Sequence, residues 1–570
     1  MESVDLTASR RSDDTGDRHA SGPARPRAPR PSTPAAADAP PPAADLAARA
    51  DALAAVPLLN CLAQELGDPV PDPPAGHREF RLRGTGARLR VRAGRRPAAP
   101  ELVTPAGPRA LDHGDLVAVA TRELAAHTGV DNDELPAEIA DSREVVAEVL
   151  RARARTAAPA DPYLRSEQAL VMGHPYHPAP KTRGGGPAAR WLPYAPEAHA
   201  AFPLHVLAVR ADEVTGEGGA PAEAALVELV DRLDGPTRVP DGYALLPAHP
   251  WQLALVADRP ELAGAFADGR LIRLGVTSRP AHPTASLRTL YVPGPDAGRD
   301  PALRTGDAFV KFSLDVRITN DIRRLWRHDL AGLRATDAAV VAAFEELREH
   351  TGSPACWLSD LGYRTARFAF EELAVLVRSG LGGHLLPGAT PLLAAALAEG
   401  HEGGPIAALA RPGADPLAWW RAYLRQVVPP LLEVFDRHGL VLEAHLQNTL
   451  IAVDAEGTPV QALFRDAEGV KRLPETGREA GWERLVYCLV VNHLSEIAGA
   501  VAEVRPEVAG ELWPLAREEL TACDARRPMP EIKELLTART LPGKTNLLLR
   551  WTRADGAASR YLPLPNPLAG

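Results

Sequence analysis

Short runs of alternating apolar and polar residues occupy the middle of the chain. In "FVKFSLDVR" (309–317), Val310, Phe312 and Leu314 alternate with polar residues, which predicts a half-buried strand. The runs "HVLAVRA", "YALLPAHP", "LIRLGV" and "TLYVP" are also typical of strands. We therefore expect the middle of the chain to be rich in strands.

Apolar residues at helical spacing mark both ends of the chain. Leu59, Leu62 and Leu66 fall on one helical face, with Pro57 placed to kink or restart that helix. Near the other end, "PLLEVFDRHGL" predicts a helix that begins at Pro430 and ends at Gly439. The last third of the chain is therefore expected to be mostly helical.

A strand–turn–strand pattern, "NTLIAVDAEGTPVQALF", interrupts the late helices. The stretch "DAEGT" supplies the turn, centred on Glu456 and Gly457. This fold places Asn448 opposite Arg465 or Asp466, with His445 just before the first strand. Spacing therefore gathers His445, Asn448 and Asp466 at one end of a hairpin.

These hairpin groups allow two interpretations. Oxygen ligands such as Asn448 and Asp466 can hold Mg²⁺ beside phosphates, and Glu443 and Glu468 can reach the same place. The other interpretation is a polar hairpin end with solvated charges. Kinase-like phosphotransferases also carry His, Asn, a hairpin and Asp in this order, but Gln447 stands where their catalytic base would be. The pattern therefore favours Mg–ATP binding over kinase chemistry.

A second polar cluster surrounds the strand pair of the middle segment. Ser286, Arg288, Thr289 and Lys311 can line one cleft. The following "ITNDIRRLW" predicts a helix capped by Thr319 or Asn320, with Arg323 in its first turns. A helix N-terminus with Arg and Lys is suited to a polyphosphate, and surface ion pairing is the alternative.

The stretch "GHPYHPAPKTRGGG" (173–186) predicts an ordered loop, because its prolines exclude a regular helix. His174, His177, Lys181 and Arg183 suggest a cationic pocket for a carboxylate, and zinc would need further ligands. In "PAHPW", His249 can be a packed core histidine.

Composition narrows the class of protein. The 570 residues are too many for one core, and 45% apolar with 24% charged content is typical of a globular protein. The net charge of −9 argues against a nucleic-acid partner. No apolar run near ~20 residues and no leader is apparent, so a cytoplasmic protein without a membrane partner is expected. The four scattered cysteines disfavour a disulfide scaffold or a metal cluster.

The pattern suggests a tail followed by three units. Residues 1–44 are rich in Ala, Pro and Arg and are expected to be disordered. The predicted units are 45–156, 157–385 and 386–570.

Several stretches together resemble one family, the siderophore synthetases that act independently of nonribosomal peptide synthetases (the aerobactin-synthetase-like group). The motifs are "NCLAQEL", "GHPYHPAPK", "SLRTL", "VKFSLDVRITNDIRR", "EAHLQNTL" and "FRDAEG", in the family's order. The resemblance covers roughly residues 50 to 560. It implies an α+β, cupped-hand fold whose thumb, fingers and palm correspond to the three units, with a distantly kinase-like palm.

The resemblance also implies a ligase. ATP and Mg²⁺ would activate a polycarboxylate, citrate or a citryl or succinyl derivative, as an acyl-adenylate. An amine or hydroxyl then displaces AMP to give an amide or ester of an iron chelator. The family is often dimeric, so a homodimer is expected.

Carried over residue by residue, the resemblance implies specific roles. The ATP-binding positions are Ser286, Arg288, Thr289, Lys311, Arg323, His445, Asn448 and Asp466, of which His445, Lys311 and Arg323 are also catalytic. The positions near the substrate carboxylate are His174, His177, Lys181 and Lys544. The expected metal ligands are Glu443 and Asp466.

Two other functions remain open at this point. A kinase-like small-molecule phosphotransferase would release ADP, whereas a synthetase releases AMP and pyrophosphate. A non-catalytic siderophore- or iron-binding protein would bind a ferric siderophore without using ATP.

Overall fold

The computed structural model describes residues 43–184, 186–295, 306–319, 321–401, 403–554 and 561–569. Most of the tail predicted over residues 1–44 lies outside these residues. Its last two residues do not belong to a tail, because the first helix begins at Ala43, a difference typical of helix ends. The described residues from Ala43 onward cluster into one unit, so the boundaries at 156/157 and 385/386 stay predictions.

The N-terminal part combines helices with an antiparallel sheet in the order β1-β2-β3-β4-β5. Its elements are α1 (Ala43–Cys61), β1 (Gly67–Pro69), β2 (His77–Leu82), β3 (Arg88–Arg92), β4 (Ala98–Thr104), β5 (Gly107–Ala110), α2 (His113–Thr128), α3 (Glu134–Arg153) and α4 (Pro162–Glu167). Helix α1 continues through Pro57 and passes into a π-helical turn, Leu62–Leu66. Leu59, Leu62 and Leu66 are all buried, as their spacing predicts.

The middle part contains a six-stranded antiparallel sheet in the order β10-β11-β12-β17-β16-β7 and a three-stranded sheet, β8-β6-β9. Its elements are β6 (His205–Arg210), β7 (Val214–Glu217), α5 (Gly219–Arg232), β8 (Tyr243–Ala248), α6 (Pro250–Val256), α7 (Pro260–Ala267), β9 (Leu271–Val276), β10 (His282–Pro283), β11 (Thr289–Val292), β12 (Ala308–Phe312), β13 (Arg317–Ile318), β14 (Asp321–Ile322), α8 (Arg327–Leu330), α9 (Leu333–Thr351), β15 (Cys356–Leu358), β16 (Asp360–Ala366), α10 (Phe370–Leu373) and β17 (Val375–Ser379).

Two predictions for this part are wrong. Strand β12 is buried on both faces, because Val310 packs into one core while Phe309 packs into another. The described residues on either side of Asn320 do not form the helix predicted from Thr319 or Asn320, because β13 and β14 pair as a short hairpin there, and Asn320 itself lies outside the described residues. Thr319 has φ +59°, a left-handed conformation that suits a turn and not a helix cap. The next helix begins only at Arg327.

The C-terminal part is mostly helical, with a four-stranded sheet in the order β15-β21-β20-β18. Its elements are β18 (Thr390–Leu393), α11 (Ala394–Glu399), α12 (Pro405–Ala408), α13 (Pro416–His438), β19 (Leu440–Val441), β20 (Thr449–Val453), β21 (Pro459–Arg465), β22 (Lys471–Arg472), α14 (Leu473–Thr476), α15 (Arg478–Val486), α16 (Ser495–Val504), α17 (Ala509–Arg526), α18 (Pro530–Thr537), β23 (Thr540–Lys544), α19 (Asn546–Trp551) and β24 (Tyr561–Pro565).

Helix α13 begins earlier than predicted. Asp415 caps its N-terminus, and the helix runs through Pro430 to end at Gly439, which has φ +62°. The prediction of a start at Pro430 is wrong, because buried residues such as Trp420 and Tyr423 extend the packed face upstream. The predicted end at Gly439 is confirmed.

One hydrophobic core joins the middle sheet to the late hairpin. Tyr291 of β11 and Phe309 of β12 pack in the same cluster as Leu450 of β20 and Leu463 of β21. Buried apolar area of this kind stabilises the contact by about 25 cal/mol per Å². The shared core therefore brings the ends of these strands together, and with them their polar side chains.

Two helical stretches, Ala44–Leu66 and Arg478–Val504, are long and apolar enough to cross a membrane by length and composition. This corrects the expectation that no apolar stretch approaches that length. Buried residues make up 56% and 72% of their most apolar windows, as in core helices of a soluble protein. The absence of a membrane partner stays a prediction.

Candidate active site

A cavity of about 440 Å³ lies where the middle sheet, the late hairpin and the His–Pro loop (173–183) meet. Its walls include every predicted site residue: His174, His177, Lys181, Ser286, Arg288, Thr289, Lys311, Arg323, Glu443, His445, Asn448, Asp466 and Lys544. The basic side chains of the middle segment therefore face the polar end of the hairpin across one space.

The hairpin presents its polar groups as the spacing predicts. Thr449 pairs with Phe464, and the Arg465 amide donates to the Asn448 carbonyl at 3.1 Å, so Asn448 lies opposite Arg465. His445 Nδ1 accepts a hydrogen bond from the Gln447 amide at 3.3 Å. The surrounding protein removes hydration from His445 and lowers its pKa to about 4, although 30% of the side chain stays open to the cavity. His445 is therefore neutral at physiological pH.

Asp466 stands at the centre of a charge cluster. Its Oδ1 accepts hydrogen bonds from Lys311 Nζ at 2.6 Å and from Arg378 Nη2 at 2.9 Å. Burial raises the pKa of this carboxyl, but the charges of Lys311 and Arg378 outweigh burial and hold it well below its usual range. Glu468 adds a second carboxylate, with Oε1 2.9 Å from Lys311 Nζ and Oε2 3.7 Å from Arg288 Nη2. The cations and carboxylates compensate one another.

The chain around Ser286 forms a tight turn that aims side chains at this cluster. Ser286 Oγ accepts from the Thr289 amide at 3.0 Å, and Leu287 between them has φ +68°. Arg288 Nη1 donates to the Arg323 carbonyl at 3.0 Å. These bonds connect the β10–β11 turn to the β13–β14 hairpin, so the two segments form one wall.

Arg323 reaches the cavity from extended chain and not from a helix. Its Nη2 donates to the Ile318 carbonyl at 2.8 Å and to Thr319 Oγ1 at 2.5 Å. Burial and the nearby charge of Arg288 lower its pKa to about 10, so it remains a cation at neutral pH. Arg323 therefore lines the cavity as predicted, but the helix N-terminus predicted beside it is not there in the described residues.

Two carboxylates hold the His–Pro loop and the residues just before it: Glu197, which is buried, and Glu399, which is half-buried. Glu197 Oε1 accepts from Lys181 Nζ at 2.5 Å and from Arg183 Nη2 at 2.7 Å. Glu399 Oε1 accepts from the backbone amides of Val171 and Met172 at 2.7 and 2.8 Å. Lys181 is 5% exposed. Both cations of this loop, which were expected to bind a substrate carboxylate, already have a carboxylate partner inside the protein.

The two histidines of this loop differ in exposure. His174 is open to the cavity, and its Nδ1 accepts from the Tyr176 amide at 3.1 Å. Loss of hydration and the nearby charge of Lys544 lower its pKa to about 4. His177 is 2% exposed and accepts from the Ala179 amide at 3.2 Å. His249, outside this loop, caps α6 and is buried, as predicted for a core histidine.

The end of the cavity near α15 carries another group of charges. Glu443 forms an ion pair with Arg484, and its Oε2 lies 3.9 Å from His445 Nε2. Both predicted metal ligands, Glu443 and Asp466, thus have cation partners already. Lys544 Nζ lies 5.0 Å from the ring centre of Tyr487, and burial lowers its pKa. Across the described residues, Lys544 has no acidic partner, and no group of three potential metal ligands occurs.

Sequence reasoning missed one residue of the charge cluster, Arg378, and gave another, Glu468, no specific role. Arg378 is one arginine at the end of the apolar strand "VLVRS", and only that placement could have marked it. Glu468 was placed near the hairpin end without a role. Arg95 of the N-terminal part also lines the cavity and donates to Glu496 at 2.8 Å, a contact that no local pattern indicates.

Two family models match separate parts of this chain. A family model described as "IucA / IucC family" matches residues 162–399, and one described as "Ferric iron reductase FhuF-like transporter" matches residues 417–559. The L-2,3-diaminopropanoate–citrate ligase of Staphylococcus aureus is 30% identical over 72% of this chain and 75% of its own length. The rhizobactin siderophore biosynthesis protein RhbC of Rhizobium meliloti is 30% identical over 71% of this chain and 75% of its own.

Among solved structures, the ATP-bound aerobactin synthetase IucA of Klebsiella pneumoniae has a TM-score of 0.77 at 22% identity, covering 91% of this chain and 99% of that one. The family model, the curated relatives and the fold together identify a siderophore synthetase of the class independent of nonribosomal peptide synthetases, which is a ligase. The chain belongs to the IucA / IucC family, and the α+β fold predicted for it is confirmed.

Proposed function

We propose that this synthetase uses ATP to adenylate a carboxyl group of a polycarboxylate, with citrate as the first candidate, and then joins it to an amine or hydroxyl. The observation that carries the proposal is the cavity in which Lys311, Arg288 and Arg323 face Asn448 and Asp466. The names of two relatives support it, since one is a citrate ligase and one solved neighbour is an ATP-bound synthetase.

The nucleotide would occupy the wall formed by the middle sheet and the hairpin. Its triphosphate would contact Ser286, Arg288, Thr289, Lys311 and Arg323, and its remaining parts His445, Asn448 and Asp466. Preorganised cations stabilise charge that develops on a leaving pyrophosphate, so Lys311 and Arg323 act in the first step. His445, neutral at physiological pH, can donate a hydrogen bond to the α-phosphate without adding charge.

The donor atoms present fit magnesium. This ion prefers oxygen ligands and is often held by one or two carboxylates together with substrate phosphates. Asp466 Oδ2 and Asn448 Oδ1 have no hydrogen-bond partner among the described residues. We therefore propose Asp466, beside Asn448, as the main protein ligand. Glu443, whose Oε1 pairs with Arg484 and whose Oε2 lies 3.9 Å from His445 Nε2, is the second proposed ligand. The ion would supply further neutralisation of the phosphates.

The acid would lie toward His174 and Lys544, because Lys544 is a half-buried cation without an acidic partner in the described chain. His177 and Lys181 stand behind this end of the cavity. A carboxylate oxygen of the acid bonds to the α-phosphorus as the bond to the β-phosphate oxygen breaks. The nucleophile then attacks the acyl carbon and loses a proton, while AMP leaves with the acyl oxygen.

A coupled assay for pyrophosphate tests the proposal, with citrate, ATP and hydroxylamine as the nucleophile. We expect AMP and pyrophosphate in equal amounts and a citryl hydroxamate detected by mass. Omission of citrate is the matched control and should abolish pyrophosphate release. ADP without pyrophosphate would instead identify a phosphotransferase.

The iron-binding alternative draws on the second family model, which matches residues 417–559. The cysteines Cys488 and Cys523 of that segment are free thiols and form no cluster. Binding of a ferric siderophore by the purified protein without any ATP turnover would favour this alternative over a synthetase.

Location and assembly belong to the same proposal. We expect a homodimer in the cytoplasm, where ATP is supplied, with no nucleic-acid partner. Light scattering of the purified protein measures the assembly, and a mass of one chain would contradict the dimer.

A further inference from the structure

Asp466 adopts a backbone conformation that few residues other than glycine accept. Its φ is +90° and its ψ is 82°, directly before the short turn Ala467–Gly469. A side chain held in such a region is strained and persists only when its surroundings determine it. The chain keeps an aspartate there, so contacts around Asp466 must hold its carboxylate in place.

Two buried residues supply these contacts: Arg378, which lines the cavity, and Asp360. Arg378 Nη2 donates to Asp466 Oδ1 at 2.9 Å, and Arg378 Nε donates to Asp360 Oδ1 at 2.6 Å. Asp360 Oδ2 in turn accepts from the Ala467 amide at 2.9 Å. Asp360 thus fixes the backbone that follows Asp466, and Arg378 fixes its carboxylate.

Sheet register places Arg378 and Asp360 next to Asp466, at the end of the late hairpin. Strand β17 runs between β12 and β16, and Arg378 is paired with Phe309 on one side and Asp360 on the other. Arg378 is 3% exposed and Asp360 is not exposed at all. A planar guanidinium that bonds two carboxylates at once is more rigid than an ammonium group in the same position.

Lys311 bonds the same oxygen of Asp466 but differs from Arg378 in its surroundings. Lys311 also contacts Glu468 and would exchange these partners for phosphate oxygens when a nucleotide binds. Arg378 carries a second carboxylate behind it and keeps Oδ1 engaged. The other oxygen, Oδ2, has no hydrogen-bond partner among the described residues.

We propose that Arg378, held by Asp360, is a positioning residue that keeps Asp466 oriented for the metal of a metal–nucleotide complex while Lys311 turns to the phosphates. This inference rests on the proposed function. It predicts that loss of the Arg378 contact reduces the gain in ATP affinity that Mg²⁺ provides. The affinity for ATP without a metal should stay nearly unchanged.

The test compares Arg378→Lys with Arg364→Lys by calorimetric titration of ATP, with Mg²⁺ and with a chelator, and with no acid present. Arg364 is a matched control, because it is a buried arginine on β16 that does not line the cavity. We expect Arg378→Lys to lose roughly 10- to 100-fold of the affinity gain from Mg²⁺, the usual effect of removing a group that orients a metal ligand. Affinity with the chelator should change less than about threefold.

An unchanged gain from Mg²⁺ in Arg378→Lys would overturn the inference, and so would an equal loss in Arg364→Lys. If Arg378→Lys fails to fold, Asp360→Asn replaces it, because it keeps an acceptor for the Ala467 amide but removes the charge beside Arg378; the same outcomes then apply. Wild-type protein that binds no ATP under either condition would instead contradict the proposed function itself.

Discussion

Two clusters of cations face the same cavity, and they differ in what a ligand can do to them. In the His–Pro loop, Lys181 and Arg183 share one oxygen of the buried Glu197. In the charge cluster, Lys311 shares Asp466 with Arg378, and Glu468 with Arg288 over a longer distance. The cations of the first cluster are paired with a buried carboxylate. The cations of the second cluster can exchange their carboxylate partners for phosphate oxygens of a ligand.

This difference shows that a cation in a sequence motif can either bind a ligand or stabilise the loop that contains it. Glu197 is 4% exposed, and removal of a buried partner leaves charges that water cannot reach. Asp466 keeps 22% of its side chain open to the cavity. Exposure of the acidic partner, more than the identity of the cation, therefore separates the two clusters.

The largest effect is expected for Glu197→Ala, which leaves Lys181 and Arg183 buried without a carboxylate. Loss of one partner of a buried ion pair costs about 3–5 kcal/mol, so the free energy of unfolding should fall by that amount. Denaturant unfolding measures it. Glu228→Ala is the control, because Glu228 pairs with Arg232 at the surface and should cost at most about 1 kcal/mol. Equal losses in both variants would remove the distinction between the clusters.

The next effect concerns Lys311→Ala and Arg323→Ala, which should act on activity and leave the fold intact. Each removed cation should cost about 2–4 kcal/mol of transition-state stabilisation, which lowers kcat/KM for pyrophosphate release roughly 30- to 1000-fold. The exposed Lys533→Ala is the control and should match wild type. Unchanged pyrophosphate release in both cavity variants would count against the assigned site.

A smaller effect separates two lysines that the sequence treats alike. Lys544→Met should raise KM for citrate about tenfold, equivalent to about 1.4 kcal/mol, because Lys544 has no acidic partner among the described residues. Lys181→Met should change KM less than about threefold, since that lysine bonds Glu197. Steady-state kinetics with citrate as the varied substrate measure both. A larger KM change in Lys181→Met than in Lys544→Met would reverse the comparison.

The smallest effect is expected from pH. The pKa of His445 and of His174 is lowered to about 4, so both are neutral above that value and gain charge only as the pH falls through it. Neither imidazole should therefore titrate between about pH 8 and about pH 5.5, as NMR of the ring protons measures. A midpoint near 6.5 in that titration, the ordinary pKa of histidine, would show that these side chains are hydrated normally.

Local patterns predicted the parts of the fold that depend on neighbouring residues. The late hairpin, with Asn448 opposite Arg465, follows from a turn sequence between two apolar runs. The end of α13 at Gly439 follows from the left-handed cap that glycine accepts. The start of that helix could not be predicted, because packing of Trp420 and Tyr423 outweighs the local signal of Pro430.

The composition of the site was predictable, but its pairing was not. All predicted residues line one cavity, since the motifs already group the relevant chemistry along the chain. Sequence spacing cannot tell that Glu197 closes on Lys181 or that Asp360 lies beside Arg378. Those contacts depend on strand register and on buried partners that are 16 and 18 residues away. The carboxylate partner of each cation could therefore not be predicted from the sequence.

One contact between distant parts of the chain bears on how the protein is made. Glu65, after α1, accepts hydrogen bonds from the backbone amides of Leu547 and Leu548, and the residues are 482 and 483 positions apart. Leu547 and Trp551 also pack into the hydrophobic core of the N-terminal part, together with residues such as Leu59 and Leu82. At ~5–20 residues per second, a ribosome needs roughly 25 to 100 seconds to deliver them after Glu65. During that interval the apolar residues that Leu547 and Trp551 later cover are exposed in the N-terminal part. The nascent chain is therefore a natural client for a chaperone.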